Sequence, residues 1–173
     1  MRKTDIVIRM AESRDIPRAA ELAQRVFHHD VAPTFSADGV REFLRFADAR
    51  SMADRLARGP SFILVAEEAS DADASAAASE AGSSVVGMIE VRRPDHISLF
   101  FVASRRQRAG IGTRLFDAAR SRLLGTNGAL PALSMNASPN AVGAYERLGF
   151  CATSEEKEVH GIRFVPMRLP GET

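Results

Sequence analysis

The spacing of apolar side chains along the chain changes between the two-residue repeat of strands and the longer repeat of helices. Short β-rich runs predict strands at 6–10, 61–67, 85–92, 96–103, 133–136, 151–159 and 162–169. Apolar residues three and four positions apart predict helices at 13–30, at 38–58 with a break near 49–51, from the glycines at 110 and 112 to about 124, and at 140–148. The order β-α-α-β-β-β-α-β-α-β-β predicts an α/β (α+β) fold, with a mixed sheet of about seven strands and helices on both faces.

The strands at 61–67 and 85–92 are expected to pair as a hairpin. The segment between them, 69–84, is almost entirely Ala, Ser, Asp, Glu and Gly, so it has too little apolar content to pack in a core. We expect a mobile hairpin loop there, and an alanine-rich helix is the alternative. Because the strands on either side belong to one sheet, the loop is not a linker, and residues 1–173 are expected to form a single domain.

Composition and charge limit the partners that the chain can be expected to have. The 23 basic and 22 acidic residues leave a formal net charge of +1, which gives no electrostatic reason to expect nucleic acid or a membrane as the main partner. No apolar run approaches membrane-spanning length, and no signal peptide is visible. The one cysteine, Cys151, excludes an internal disulfide and fits a reducing compartment. We expect a cytoplasmic protein that is a monomer or a homodimer.

The strand at 96–103 leads through an arginine-rich turn to Gly110 and Gly112. Glycines let a backbone approach a ligand, and the first N–H groups of the following helix lack partners, so this segment is suited to phosphate. The spacing does not match the P-loop, which needs a lysine. It does not match the dinucleotide fingerprint either, because Leu115 stands at the third small position. What remains is a Q-x-x-G-x-G sequence at 107–112, directly after a strand.

This sequence, QRAGIG, resembles the acyl-CoA-binding loop of the GNAT superfamily of N-acyltransferases. Residues 136–150, NASPNAVGAYERLGF, resemble the second signature of that family, in which an Asn opens a short helix, a Tyr follows five residues later, and Leu-Gly-Phe closes it. Both signatures occur in the family's order. The resemblance covers residues 6–169 and is sharp from 96 to 150. It implies a GNAT-like, mixed, mostly antiparallel sheet.

The resemblance also implies acetyl-CoA as acyl donor, a small-molecule or protein amine as acceptor, direct transfer in a ternary complex, and no metal. The backbone of the loop would hold the pyrophosphate, Val102 would offer backbone groups to the pantetheine amides, and Asn140 would contact the pantetheine or pyrophosphate arm. The CoA-binding residues implied in this way are Phe101, Val102, Gln107, Arg108, Ala109, Gly110, Ile111, Gly112, Thr113, Asn136, Asn140 and Tyr145. The alternative is a degenerate member that binds acyl-CoA as a sensor or scaffold without catalysis.

Amide formation from a thioester needs a base for the amine and a proton for the departing thiolate. His96 begins the strand before the loop, has an ordinary pKa of about 6.5, and matches the position at which several family members carry their base. Glu90 on the neighbouring strand is the alternative base. Tyr145 is the only tyrosine, and the resemblance places it beside the CoA sulfur as general acid. Cys151 is rejected as a covalent nucleophile, because a lone cysteine is usually a small apolar residue.

Three further expectations concern the surroundings of this site. Strict alternation along the strand would place His96, Ser98, Phe100 and Val102 on one face, and Ile97, Leu99 and Phe101 on the other. In the resembling family the first two helices form one wall of the acceptor pocket, so Phe35, Phe43 and Phe46 are candidate pocket residues, although core packing explains them equally well. The sequence His28-His29-Asp30 is interpreted as a helix end and not as a metal site, since adjacent histidines point in different directions from a helix.

Overall fold

The computed structural model describes residues 5–69, 83–124 and 128–172. Its described strands are β1 (Ile6–Met10), β2 (Ser61–Ala69), β3 (Ser83–Arg92), β4 (His96–Val102), β5 (Leu133–Ala137), β6 (Cys151–Ala152), β7 (Lys157–Val159) and β8 (Ile162–Leu169). They form one eight-stranded sheet in the order β1-β2-β3-β4-β5-β8-β6, with β7 also paired to β8. Strands β4 and β5 pair in parallel, and the other pairings between the described strands are antiparallel. The predicted α/β class and the mostly antiparallel sheet are confirmed.

Helices cover both faces of this sheet, as the sequence predicts. The described α-helices are α1 (Ile16–Asp30), α2 (Ala37–Phe46), α3 (Ala49–Arg58), α4 (Ile111–Leu123) and α5 (Val142–Glu146). One buried cluster joins α1 and α3 to one side of β2, β3 and β4, and a second joins α4 to the other side. The apolar residues whose spacing predicts this first helix are all buried on the inner face of α1: Ile16, Ala19, Ala20, Leu22, Ala23, Val26 and Phe27.

The break in the second helical region lies slightly earlier than predicted, at Ala47 and Asp48. Asp48 is the N-cap of α3, and its side chain accepts a hydrogen bond from the backbone N–H of Ser51 at 2.9 Å. The predicted helix at 140–148 is also shorter in the structure. A 3-10 turn over Pro139–Ala141 contains Asn140, and only Val142–Glu146 is α-helical.

The expected strand at 151–159 is divided into β6 and β7, because the exposed residues 153–156 bend between them. Both short strands pair with β8, which explains why the sheet has eight strands and not about seven. The expected turn at His160 and Gly161 is confirmed. Both residues have positive φ angles, of 52° and 77°, as a tight hairpin turn requires.

The expected hairpin of β2 and β3 is confirmed, and both strands are longer than predicted, ending at Ala69 and beginning at Ser83. The ends of the segment that we expected to be mobile, 69 and 83–84, are therefore in strands. The rest of that segment, residues 70–82, lies outside the described residues, so the expectation of a mobile loop there stays a prediction. No helix in the described ranges is long and apolar enough to cross a membrane.

Candidate active site

The sheet divides between β4 and β5, and this division forms the main cleft. The two parallel strands pair only at His96 with Ser134 and at Ile97 with Met135, so β4 continues through residues 98–102 without β5 beside it. The cleft has a volume of about 1250 Å³. Because pockets for one small molecule usually measure about 300–1,000 Å³, this cleft has room for two reactants.

A β-bulge at Ser98 changes which side chains of β4 share a face. Val91 of β3 pairs with Ile97, and the adjacent Glu90 pairs with Leu99, so Ser98 is the extra residue. Ile97 consequently packs in the α4-side cluster, while Leu99 packs in the α1-side cluster. The prediction that Ile97 shares a face with Leu99 and Phe101 is therefore wrong. The prediction that His96 shares a face with Phe100 and Val102 is wrong too, because those two residues pack against the α4-side cluster. Simple alternation cannot predict the bulge, which also places His96 on the α1 side of the sheet.

The turn after β4 has the geometry of an anion site at a helix start. Gly110 is the N-cap of α4 with φ of 78°, and Arg108 also has a positive φ, of 60°. The first helical hydrogen bond runs from the N–H of Arg114 to the carbonyl of Gly110, at 3.1 Å. The N–H groups of residues 111–113 thus have no acceptor within the helix and can bind a phosphate.

The glycines keep this turn open. A Cβ on Gly110 would meet no heavy atom within 4 Å, and one on Gly112 would contact Phe100 and Val102 at 3.8 Å, on the cleft side of β4. The residues present therefore fit a pyrophosphate held by backbone. The expected CoA-binding residues that line the cleft are Phe101, Val102, Gln107, Arg108, Gly110, Gly112, Thr113, Asn136, Asn140 and Tyr145. Ala109 and Ile111 do not line it, and the Ile111 side chain is buried in the core, so only its backbone is available.

Asp30, at the end of α1, connects three segments around the cleft. Its carboxylate accepts hydrogen bonds from Gln107 Nε2 at 3.1 Å and from Ser104 Oγ at 3.2 Å, and its backbone carbonyl accepts one from Asn140 Nδ2 at 2.7 Å. Burial opposes its charge, but hydrogen bonds from His29, Gln107 and Ser104 hold the pKa of the Asp30 carboxyl below its usual range. Sequence reasoning missed this role, because the partners are 74 to 110 residues away.

Tyr145 lies in the cleft between two aromatic rings. Its ring centroid is 6.0 Å from that of Phe100 and 6.2 Å from that of Phe150. Its hydroxyl has no hydrogen-bond partner in the part of the chain that the structure describes. Burial raises the pKa of this phenol above its usual value of 10.0. The hydroxyl is therefore protonated at neutral pH and available to donate.

His96 lies where β4 and β5 separate, and it is half-buried in the cleft lining. Ser134 Oγ donates to the carbonyl of Asp95 at 3.4 Å and lies 3.0 Å from Nδ1 of His96. Where the Ser134 hydroxyl donates to Asp95, Nδ1–H of His96 donates to Ser134 and the lone pair is on Nε2. Burial, aided by the charge of Arg92, holds the pKa of the imidazole below its ordinary 6.5, so the ring is neutral at neutral pH.

Glu90 occupies a different environment from His96. Its side chain is fully buried, and both of its carboxylate oxygens accept hydrogen bonds from Arg55 of α3, at 2.7 and 2.8 Å. It does not line the cleft. This placement argues against the role of alternative base that the sequence suggested.

Phe35, Phe43 and Phe46, the candidate residues of the acceptor wall, all line the cleft. Phe43 stacks on Phe27 at 3.7 Å between ring centroids. This wall is joined to the β7–β8 turn, because a Cβ on Gly39 of α2 would overlap the carbonyl of Gly161. The helix and the turn can approach so closely because both Gly39 and Gly161 lack a side chain.

A mixed sheet that divides beside a glycine-rich helix start, with a histidine and a tyrosine in the opening, fits an acyl-CoA-dependent N-acetyltransferase. The comparison with protein families agrees. The model described as the acetyltransferase (GNAT) domain matches residues 31–170. The chain belongs to the GNAT family of acetyltransferases. A search of curated proteins by sequence finds no match.

Similar known structures share the whole fold at low sequence identity. A GCN5-related N-acetyltransferase from Rhodopseudomonas palustris has a TM-score of 0.70 at 20% identity, covering 98% of each chain. The PaiA N-acetyltransferase from Thermoplasma acidophilum, in complex with coenzyme A, has a TM-score of 0.68 at 18% identity, covering 96% of this chain and 99% of that one. A chimera of the Vibrio cholerae spermidine N-acetyltransferase SpeG with hSSAT has a TM-score of 0.58 at 15% identity, covering 95% of each.

Proposed function

We propose that the protein transfers an acetyl group from acetyl-CoA directly to a primary amine, with His96 as general base and Tyr145 as general acid. The observation that carries this proposal is that both side chains line one cleft in the protonation states that the reaction needs. The acceptor belongs to a small molecule or a protein. A sensor or scaffold, the alternative, would need neither a neutral histidine nor a protonated phenol in the cleft.

The donor would be held chiefly by backbone. The free N–H groups at the start of α4 would bind the pyrophosphate, and the unpaired edge of β4 near Val102 would bind the pantetheine amides. Asn140 and Gln107 would lie along the same arm, positioned by Asp30. The donor supplies an activated acyl carbon on a thioester sulfur.

Two residues of the chain, His96 and Tyr145, would then transfer protons. Nε2 of His96 accepts the proton that the amine loses as its nitrogen bonds to the acyl carbon. Tyr145 donates its hydroxyl proton to the sulfur as the C–S bond breaks, and it regains a proton from solvent. His96 releases its proton to solvent, so the products are an amide and a free thiol.

Two variants test these roles by release of free thiol from acetyl-CoA. Tyr145→Phe keeps the ring and should lower kcat by about 100- to 10,000-fold with CoA affinity little changed. For the wild type, the rate should fall as pH drops through the lowered pKa of His96, so the acidic limb should lie below 6.5. No basic limb from Tyr145 is expected below pH 10.0, because its pKa is raised.

His96→Gln should remove that acidic limb and lower the rate most near neutral pH. Raising the pH should partly restore activity, because more of the amine is then neutral without a base. His28→Gln, an exposed histidine on α1 that does not line the cleft, is the matched control and should behave as the wild type. A His96→Gln enzyme with the wild-type pH profile would remove histidine from the mechanism.

A further inference from the structure

The acceptor end of the cleft is mainly aromatic and apolar. It is lined by Phe27, Phe35, Phe43, Phe46, Phe101 and, from the β7–β8 hairpin, Val159. Phe43 stacks on Phe27 and meets Phe101 edge to face at 5.8 Å between centroids. Such a surface favours an acceptor whose body is apolar, since burial of apolar area is its main gain on binding.

The carboxylates in the cleft lining are already engaged. Among the described cleft residues these are Asp30, which accepts hydrogen bonds from Gln107 and Ser104, and Glu42, which pairs with Arg45 at 3.2 Å. The described lining contains these two carboxylates and four arginines, so its charge disfavours an acceptor that carries several positive charges. A polyamine or a lysine-rich segment would bury unpaired ammonium groups at a cost.

The cations in the same lining include three arginines without a partner. Arg92, Arg108 and Arg147 make no ion pair or hydrogen bond with any residue that the structure describes, whereas Arg163 pairs with Glu156. The position of Arg92 is informative because it pairs directly with His96 in the register of β3 and β4. Directly opposite residues of antiparallel strands have Cβ atoms about 4.5–5.5 Å apart and point to the same face.

The charge of Arg92 also reaches the imidazole, since it is the second cause, after burial, of the lowered pKa of His96. A guanidinium beside the proposed base suits an acceptor that carries a carboxylate next to its amine. An α-amino acid carries its amine and its carboxylate on one carbon, so their binding partners must be neighbours. Arginine suits a carboxylate because its planar fork of N–H groups can bind both oxygens.

We propose that the acceptor is an α-amino acid with an apolar or aromatic side chain, whose carboxylate is bound by Arg92 while its amine meets His96 and its side chain lies against the acceptor-end phenylalanines. This inference rests on the proposed function and narrows its acceptor class. A protein N-terminus or a lysine side chain lacks the adjacent free carboxylate, so neither is the acceptor.

The test uses acceptor pairs that differ only in the carboxylate: L-phenylalanine with 2-phenylethylamine, and L-leucine with 3-methylbutylamine, with spermidine as the polycation. Thiol release from acetyl-CoA gives kcat and KM for each. Each amino acid should be used at least tenfold more efficiently than its partner amine. Arg92→Gln should raise KM for the amino acids by about 10- to 150-fold, the value of a charged hydrogen-bonded contact, and this loss should be at least tenfold larger than any change for the partner amines.

Arg93→Gln is the matched control, because Arg93 is the next residue on the chain, is also exposed, and does not line the cleft. It should leave all acceptors unaffected. Equal use of the pairs, a preference for spermidine, or an Arg92→Gln effect that is the same with and without the carboxylate would each overturn the inference while leaving acetyl transfer intact.

A binding measurement separates this inference from the proposed catalysis. Calorimetric titration of the CoA-bound protein should show binding of L-phenylalanine and much weaker binding of 2-phenylethylamine, with the difference lost in Arg92→Gln. If no acceptor of any class releases thiol but this difference is seen, the proposed catalysis fails and the acceptor class stands. If neither amino acid binds better than its amine, the acceptor class fails regardless of turnover.

Discussion

Replacing Glu90 with glutamine removes a negative charge from the buried pair with Arg55 and hardly changes side-chain size. The carboxylate is fully buried, whereas the Arg55 side chain is 20% exposed. Breaking a buried pair by removing one partner costs about 3–5 kcal/mol. Because Arg55 can reach some water and also donates to the carbonyl of Phe46, we expect the lower end, ~3 kcal/mol. For a chain of this size that lowers Tm by about 6–12 °C.

The assay for Glu90→Gln is urea unfolding together with calorimetry, followed by kcat measured at a temperature at which the variant is folded. The unfolding free energy should fall and kcat should stay within about twofold of the wild type, because Glu90 does not line the cleft. Glu21→Gln is the matched control, since its pair with Arg25 has side chains 72% and 66% exposed. It should change stability by less than about 0.5 kcal/mol.

A double variant sharpens this test. Glu90→Leu with Arg55→Met removes both charges and should recover at least half of the stability that Glu90→Leu alone loses, because no buried charge is left without a partner. If Glu90→Gln kept the wild-type Tm and lowered kcat 100-fold, the structural account of Glu90 would be refuted and its role as base restored.

Two further predictions concern glycines. Acetyl-CoA should raise Tm of the wild type by binding the native state, and Gly110→Val should abolish that shift. The control is Gly128→Val, which has a similar φ of 75° and equally open surroundings and should lose comparable stability yet keep the shift. A normal shift in Gly110→Val would place the ligand elsewhere. Gly39→Ala should separate α2 from the β7–β8 turn and raise KM for the acceptor by about 10- to 100-fold, with the acetyl-CoA shift intact. Gly59→Ala, whose Cβ would meet only Arg55 O at 3.6 Å, should leave KM unchanged. An unchanged KM in Gly39→Ala would contradict the acceptor wall.

Features that depend on neighbours along the chain could be predicted from the sequence. The inner face of α1, the glycine turn before α4, the β2–β3 hairpin and the turn at His160 and Gly161 follow from apolar spacing and from residues that adopt positive φ. The two signatures at 107–112 and 136–150 were sufficient to identify the family, which the family model confirms.

Features that depend on pairing between distant segments could not be predicted. The bulge at Ser98 follows from how β4 pairs with β3, and the ion pair of Glu90 follows from where α3 packs on the sheet. Asp30 contacts Gln107 and Asn140 only because the end of α1 reaches the cleft. None of these has a local pattern in the sequence, and they decide which polar groups lie in the cleft and which are enclosed in the core.

The measurement that tests the central claim most directly is the stoichiometry of products formed from acetyl-CoA and a primary amine. Free thiol is counted by colorimetry, and the acetylated amine is counted by mass spectrometry in the same reaction. We expect one amide for each thiol released, at a rate that depends on the amine and falls by at least 100-fold in Tyr145→Phe. Thiol release without amide, or binding of acetyl-CoA with no thiol release across a broad set of amines, would contradict direct acetyl transfer.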